Sequence, residues 1–301
     1  MENHFVLFSS FTLGYLLRNL SVLPSNFALS LNKTLIYFFL PVLILLHLSQ
    51  FKFDIVHIWL LITPWIIYGC SLLFFEAVHQ LTPIPKKVRA ALIMTSGIGS
   101  ISFVGFPFFK LFYGDEGLSY GIVMSIAGTL VVCNSVGILT GYWYAQEQPK
   151  PSVIVKKIVQ FPPFIAMFIA MLLLFFDYEH HSSTKSVLTF LSSPFSVLAL
   201  FTIGLQVQLK GFGENRKFLW LGQFYKLVLA PVLIYMLFFF LGLQHTLIAK
   251  ICILGAGIGS MNTIAIVAVS LNPRPKLALL MPGVGIPLSV GTLMLLYYLI
   301  C

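Results

Sequence analysis

The chain has 301 residues, of which 58% are hydrophobic and 9% charged, with 18 Lys and Arg against 9 Asp and Glu. Soluble domains carry roughly 25% charged residues, so this chain cannot coat a globular surface with charge, and a soluble enzyme and a disordered chain are both excluded. In so apolar a sequence the net charge of +9 points to the cytoplasmic loops of a membrane protein rather than to nucleic acid.

A membrane helix needs about 20 mostly apolar residues. Charge-poor windows of that kind fall at 4–19, 28–49, 55–78, 89–111, 117–143, 153–176, 187–208, 218–242, 247–271 and 277–300, which predicts ten helices. The first begins Met1-Glu2-Asn3-His4 without a basic run, and no small-x-small cleavage site follows Arg18, so it reads as a retained helix rather than a secretory signal. The second carries Pro41 and an apolar-flanked His47, which suits either a packed neutral imidazole or a proton carrier. The third ends with Glu76 and His79 on one face, an interfacial pair by spacing. The fourth is interrupted by Gly97-Ile98-Gly99-Ser100 and then by Gly105-Phe106-Pro107. Asn134 lies in the fifth, Pro194 in the seventh and Lys226 about nine residues into the eighth. The ninth contains Gly255-Ala256-Gly257-Ile258-Gly259-Ser260-Met261-Asn262-Thr263. Short Pro-, Gly- or polar-marked connectors separate the windows, and none is long enough for a soluble domain. Cys70, Cys133, Cys252 and Cys301 show no paired spacing and read as free thiols, with no metal or other cofactor implied.

The basic residues sort by loop. Arg18, Lys33, Lys86, Lys87, Arg89, Lys150, Lys156, Lys157, Lys210, Arg216, Lys217, Arg274 and Lys276 follow odd-numbered helices; Lys52, Lys110, Lys185 and Lys250 follow even-numbered ones. Thirteen against four places the odd loops in the cytoplasm and both termini outside. Lys226 alone belongs to no loop.

The two halves resemble each other. An offset of 160 residues superposes Gly97-Ile98-Gly99-Ser100 on Gly257-Ile258-Gly259-Ser260, and Gly128-Thr129-Leu130 nearly realigns with Gly291-Thr292-Leu293. Pro41 likewise matches Pro194, each followed by an apolar run ending near Gln50 or Gln208. Five helices is an odd number, so a second five-helix unit enters from the opposite side. The expected organisation is a first repeat over 1–145 and an inverted second repeat over 151–301. Glycine costs roughly 1 kcal/mol inside a helix and proline about 3. Gly99, Gly105, Pro107, Gly257 and Gly259 therefore mark helices 4 and 9 as discontinuous, although Gly and Ser also serve simple close packing in membranes. Half-helix N-termini between two such breaks would stabilise an anion.

The chain resembles the auxin efflux carrier family, which includes plant PIN-type carriers and bacterial malate or malonate permeases. Asn32-Lys33 through Leu40-Pro41, Gly105-Phe106-Pro107 with Tyr113-Gly114-Asp115, Gly204-Leu205, and Lys226-Leu227 with Pro231 carry the resemblance along nearly the whole chain. It implies an all-α membrane fold of ten helices in two inverted repeats, with helices 4 and 9 crossing. It further implies a scaffold of helices 1, 2, 6 and 7, and organic anions moved by an elevator-type motion. The sequence departs from the family pattern at Ser100, where relatives often carry asparagine, and at Gly259-Ser260, where they carry proline.

The candidate substrate ligands are Ser100, Ser102, Ser260, Asn262 and Thr263 beside the breaks, with Lys226 as an anion-pairing charge or gate and Asn134 as a further cavity residue. Lys226 could instead snorkel to headgroups, and Asn134 could bond between helices. A prenyl transferase would need clustered acidic residues, and a zinc protease an H-E-x-x-H motif; neither pattern occurs, so no enzyme is expected. The leading expectation is a secondary carrier of a small organic anion such as a carboxylate. A sodium-coupled symporter resembling bile-acid carriers, or a membrane sensor that binds without transport, are the alternatives. The expected partners are that anion and the lipid bilayer, with a homodimer as the candidate assembly and no nucleic acid.

Overall fold

The computed structural model describes residues 4–20, 23–24, 26–145, 160–178, 180–207, 213–271 and 274–300, and among them it is all helical, without a strand. In chain order the elements are α1 (His4–Asn19), α2 (Phe27–Leu48), α3 (Ile55–Leu81), α4 (Lys86–Gly97) and α5 (Ile101–Ala145). They continue with α6 (Pro162–Phe175), α7 (Ser182–Gln206), α8 (Arg216–Phe240), α9 (Leu247–Ala256), α10 (Asn262–Ser270) and α11 (Pro275–Ile300). Six of these, α2, α3, α5, α7, α8 and α11, are long and apolar enough to cross a membrane, and α6 and α9 are shorter apolar helices. Each of the ten apolar windows is helical over most of its described residues; Lys150, Lys156, Lys157, Lys210 and the start of the sixth window lie outside them.

The count of six has a physical reason. The stretch α5 holds two windows in one helical run, folded at Gly114 (φ 66°, ψ −153°). A Cβ on Gly121 would lie 2.3 Å from Cδ2 of Phe109, whereas twelve residues of straight helix would separate the two by about 18 Å. The chain therefore reverses there. The fourth and ninth windows are each split in two, so their pieces fall below spanning length.

Proline sets the local register. The backbone N–H groups of Leu40, Phe106 and Ala230 reach five residues back, to the carbonyls of Leu35, Ile101 and Tyr225, and each is followed at once by Pro41, Pro107 or Pro231. A proline donates no N–H and its ring pushes away the carbonyl four residues earlier, so the preceding turn widens to i→i+5. Lys226 sits inside one of these widened turns.

Packing divides the helices into two groups. α1 runs along the second half of α7, where Gly14 and Gly204 meet: a Cβ on Gly14 would fall 2.2 Å from the Phe201 carbonyl oxygen, and one on Gly204 2.2 Å from that of Phe11. α6 packs on the second half of α2, and both halves of α7 contact α2. In the other group α4 is the centre, touching α3, α5, α8, α10 and α11. Its core includes Phe75, Phe106, Phe109, Tyr225 and Phe238, all shielded from solvent.

Candidate functional site

The two split windows meet at their breaks. α4 ends at Gly97 and Ile98 is extended (φ −124°, ψ 117°); α9 ends at Ala256 and Met261 is extended (φ −75°, ψ 132°). Gly99 and Ser260 form an isolated antiparallel bridge. The N–H of Ser100 donates to the Gly259 carbonyl at 2.8 Å, and that of Met261 donates to the Ile98 carbonyl at 3.0 Å. Four helix ends converge here: the C-termini of α4 and α9, and the N-termini of α5 and α10. Helix termini leave backbone groups without intrahelical partners, and the two cross-bonds satisfy only part of that set. Gly259 is indispensable to the approach, because a Cβ there would lie 2.4 Å from the Gly285 carbonyl carbon of α11.

On one side of the bridge lies a cavity of about 30 Å³, lined by Ser100, Ser102, Ser125, Thr129, Met261 and Thr263, with Ile36 and Leu40 of α2 opposite. That volume holds about one water molecule, so this conformation is closed to a carboxylate. Ser102 and Ser125 share a hydrogen bond of 2.7 Å between hydroxyls. The hydroxyls of Ser260 and Thr129 are buried and have no hydrogen-bond partner among the described residues.

Lys226 lies against the break at Gly99. It is 1% exposed, and its Nζ stands 3.1 Å from where a Cβ on Gly99 would be. Together with Gly97, Gly99 and Gly255 it lines a small void behind the bridge. The ammonium thus faces the ends of α4 and α9, where half-helix C-termini carry partial negative charge.

The remaining candidates are placed as follows. Asn262 donates through Nδ2 to Gln206 Oε1 at 2.7 Å, tying the start of α10 to the end of α7. Asn134 donates to the Leu130 carbonyl at 2.8 Å, within its own helix, and does not line the cavity. Gly105 and Gly257 flank the breaks, while Pro107 opens the regular part of α5 after its widened turn. His47 shares a hydrogen bond of 3.1 Å with Ser119, joining α2 to α5. Glu76 is paired not with His79 but with Arg89 of α4 at 3.1 Å, and His79 instead accepts the Ile84 N–H at 3.0 Å. Sequence reasoning passed over Ser125, Thr129 and Gln206; the near-match of Gly128-Thr129-Leu130 to Gly291-Thr292-Leu293 was the one signal pointing to Thr129. Among the described residues no cluster of His, Cys, Asp or Glu could hold a metal ion.

A family model described as membrane transport protein matches residues 1–281. An uncharacterized transporter of Methanocaldococcus jannaschii is 26% identical over 207 residues, 65% of this chain and 65% of the relative, so the match spans just under two thirds of that protein's length. The family match extends over most of the chain. The chain therefore belongs to the membrane transport protein family, the group to which the resemblance to auxin efflux carriers pointed.

Proposed function

We propose that this member of the family is a secondary carrier that moves a small organic anion, such as a carboxylate, between the two sides of a membrane. The observation that carries the reading is the pairing of the two breaks at Gly99 and Ser260, beside buried hydroxyls of Ser260 and Thr129 that have no partner among the described residues and with Lys226 Nζ packed against Gly99. Non-helical backbone is tolerated at membrane depth only where protein or a cavity satisfies it. The N-termini of α5 and α10 supply N–H groups and partial positive charge for an anion, and Ser100, Ser260, Thr263 and Thr129 supply hydroxyl donors. Lys226 brings an amine that can carry positive charge against Gly99, so a bound carboxylate need not bring its own cation. No carboxylate lines the cavity, which disfavours a sodium site there.

In this reading α4 with α5 and α9 with α10 are the broken fourth and ninth crossings of a ten-helix plan, and residues 1–145 and 151–301 are its two inverted repeats. The α1–α7 pair and the α2–α6 pair are exchanged by that repeat symmetry, which supports a scaffold of these four helices. The cavity is shut by Ile36 and Leu40 of the scaffold. Sliding the other group past them opens it to one side and then the other, an elevator-type motion that breaks the Asn262–Gln206 bond on the way. Both termini are placed outside by the loop charges.

The test is uptake of labelled mono- and dicarboxylates into proteoliposomes, with pH and sodium gradients varied separately. Saturable, anion-selective flux abolished by Ser260→Leu is expected. Flux without anion preference overturns the reading, and saturable binding without flux identifies a sensor instead. Labelling of Lys52→Cys but not Lys86→Cys from outside checks the orientation.

A further inference from the structure

A second cavity, of about 720 Å³, opens between α3, the start of α4 and the last turns of α5. It is independent of the paired breaks: Tyr68 walls it off, its ring so close to Gly97 that a Cβ there would lie 2.6 Å from Cδ2. The Tyr68 hydroxyl donates to Thr140 Oγ1 at 2.7 Å, which holds that wall in place. The lining is sorted by polarity along its length. Trp65, Leu72, Leu139 and Trp143 form the body, and all four are exposed on the outer surface of the helix bundle. Glu76, Lys86, Arg89 and Tyr144 sit together at one end. Trp65 to Glu76 spans eleven residues of helix, about 16 Å. A long apolar groove open to the bilayer, with cations gathered at its interfacial end, has the outline of one amphiphile.

The charged end is incompletely paired. Glu76 lies 3.1 Å from Arg89 Nε and also accepts the Tyr144 hydroxyl, while the Arg89 guanidinium stands 5.5 Å from the Tyr144 ring centroid. Arg89 Nη1 is buried without an acceptor among the described residues. Lys86 is the first residue of α4, whose N-terminus follows Pro85 and has no side-chain cap. Two cations and an uncapped helix start therefore face one carboxylate that is already engaged. An anionic phosphate suits this arrangement, since guanidinium and helix N-termini both bind it, and basic pockets between membrane helices take anionic headgroups.

We propose that this groove binds a glycerophospholipid with an anionic headgroup, its phosphate on Lys86 and Arg89 and one acyl chain along Trp65, Leu72 and Leu139. Tyr144 marks the interface, where aromatic side chains concentrate. Occupation would brace α3 against α4 and α5 on the face away from the scaffold.

The experiment uses the full chain purified in detergent, stripped of lipid, and mixed with equal amounts of phosphatidylglycerol and phosphatidylcholine for native mass spectrometry. Phosphatidylglycerol is expected to be retained about tenfold or more over phosphatidylcholine, since each nearby cation is worth about a factor of five for an anionic lipid. The pair Lys86→Gln with Arg89→Gln should erase that preference. Gly69 lines the groove and a Cβ there meets nothing within 4 Å, so Gly69→Trp can start its side chain into the groove and should abolish retention. If the double variant does not fold, Gly69→Trp decides. Equal retention of both lipids by the native chain overturns the proposal, as does undiminished retention by Gly69→Trp. Stabilisation by inorganic phosphate alone to the same degree as by the lipid would also overturn it, by assigning the site to free phosphate.

Discussion

Replacing Lys226 with methionine keeps the reach of the side chain and removes its charge. The side chain is 1% exposed, with Nζ at 3.1 Å from the Cβ position of Gly99. An anion held by Ser100, the next residue, would lie on the order of 6 Å from Nζ, given about 3.8 Å between neighbouring Cα atoms and hydrogen bonds of about 2.8 Å. At an effective dielectric constant near 20, unit charges at that separation attract by roughly 3 kcal/mol. Losing that term weakens affinity about a hundredfold. The assay is the concentration dependence of carboxylate uptake into proteoliposomes, read beside the thermal melting of the same preparations. Lys226→Met is expected to raise the half-saturating concentration about a hundredfold. Melting should be unchanged or higher, because a buried lysine is costly to keep. Uptake within about threefold of the native value, with the fold intact, would refute the assignment of an anion-pairing charge to this side chain.

Three further outcomes follow from the packing. Gly204→Ala drives a Cβ to 2.2 Å from the Phe11 carbonyl oxygen, so α1 and α7 must part at a cost of about 1–3 kcal/mol, read as a lower melting temperature. Gly69→Ala, inside α3, meets open space and is the control that should leave melting unchanged or slightly higher. Gly114→Ala meets nothing within 4 Å either, yet φ 66° with ψ −153° belongs to glycine; a loss of about 1–3 kcal/mol from backbone strain alone is expected, and unchanged melting would contradict the fold-back at that residue. Asn262→Ala removes the bond to Gln206 between the two helix groups. About 1 kcal/mol of net stabilisation leaves the closed conformation, so alkylation of Ser102→Cys should quicken roughly fivefold.

Much of this architecture was legible because backbone chemistry writes it locally. Closely spaced glycines at Gly97–Gly99 and Gly257–Gly259 mark the breaks, and the offset of 160 residues aligned the same two tetrapeptides that the structure joins at Gly99 and Ser260. The faces of individual helices were harder to read. A widened turn inserts one residue, about 100° of rotation, into the 3.6-residue period. Asn134 stands in such a turn, with another at Met124–Thr129 before it. Simple periodicity therefore misjudges which residue looks inward, and Thr129 rather than Asn134 lines the cavity. Glu76 shows a different limit: spacing along one helix suggested His79, but its partner Arg89 comes from the next helix, which no single-helix pattern contains.

The residues that weaken the helices are also the ones that make the site. Breaking two helices exposes four sets of backbone termini to a low-dielectric interior, where an unpaired polar group costs several kcal/mol. Two cross-bonds, Ser100 to Gly259 and Met261 to Ile98, repair only part of this. Lys226 packs against Gly99 at the end of α4, and the buried hydroxyls of Ser260 and Thr129 have no partner among the described residues. On the proposed function, a bound anion would supply acceptors to these groups, whereas an apolar solute would leave them unsatisfied.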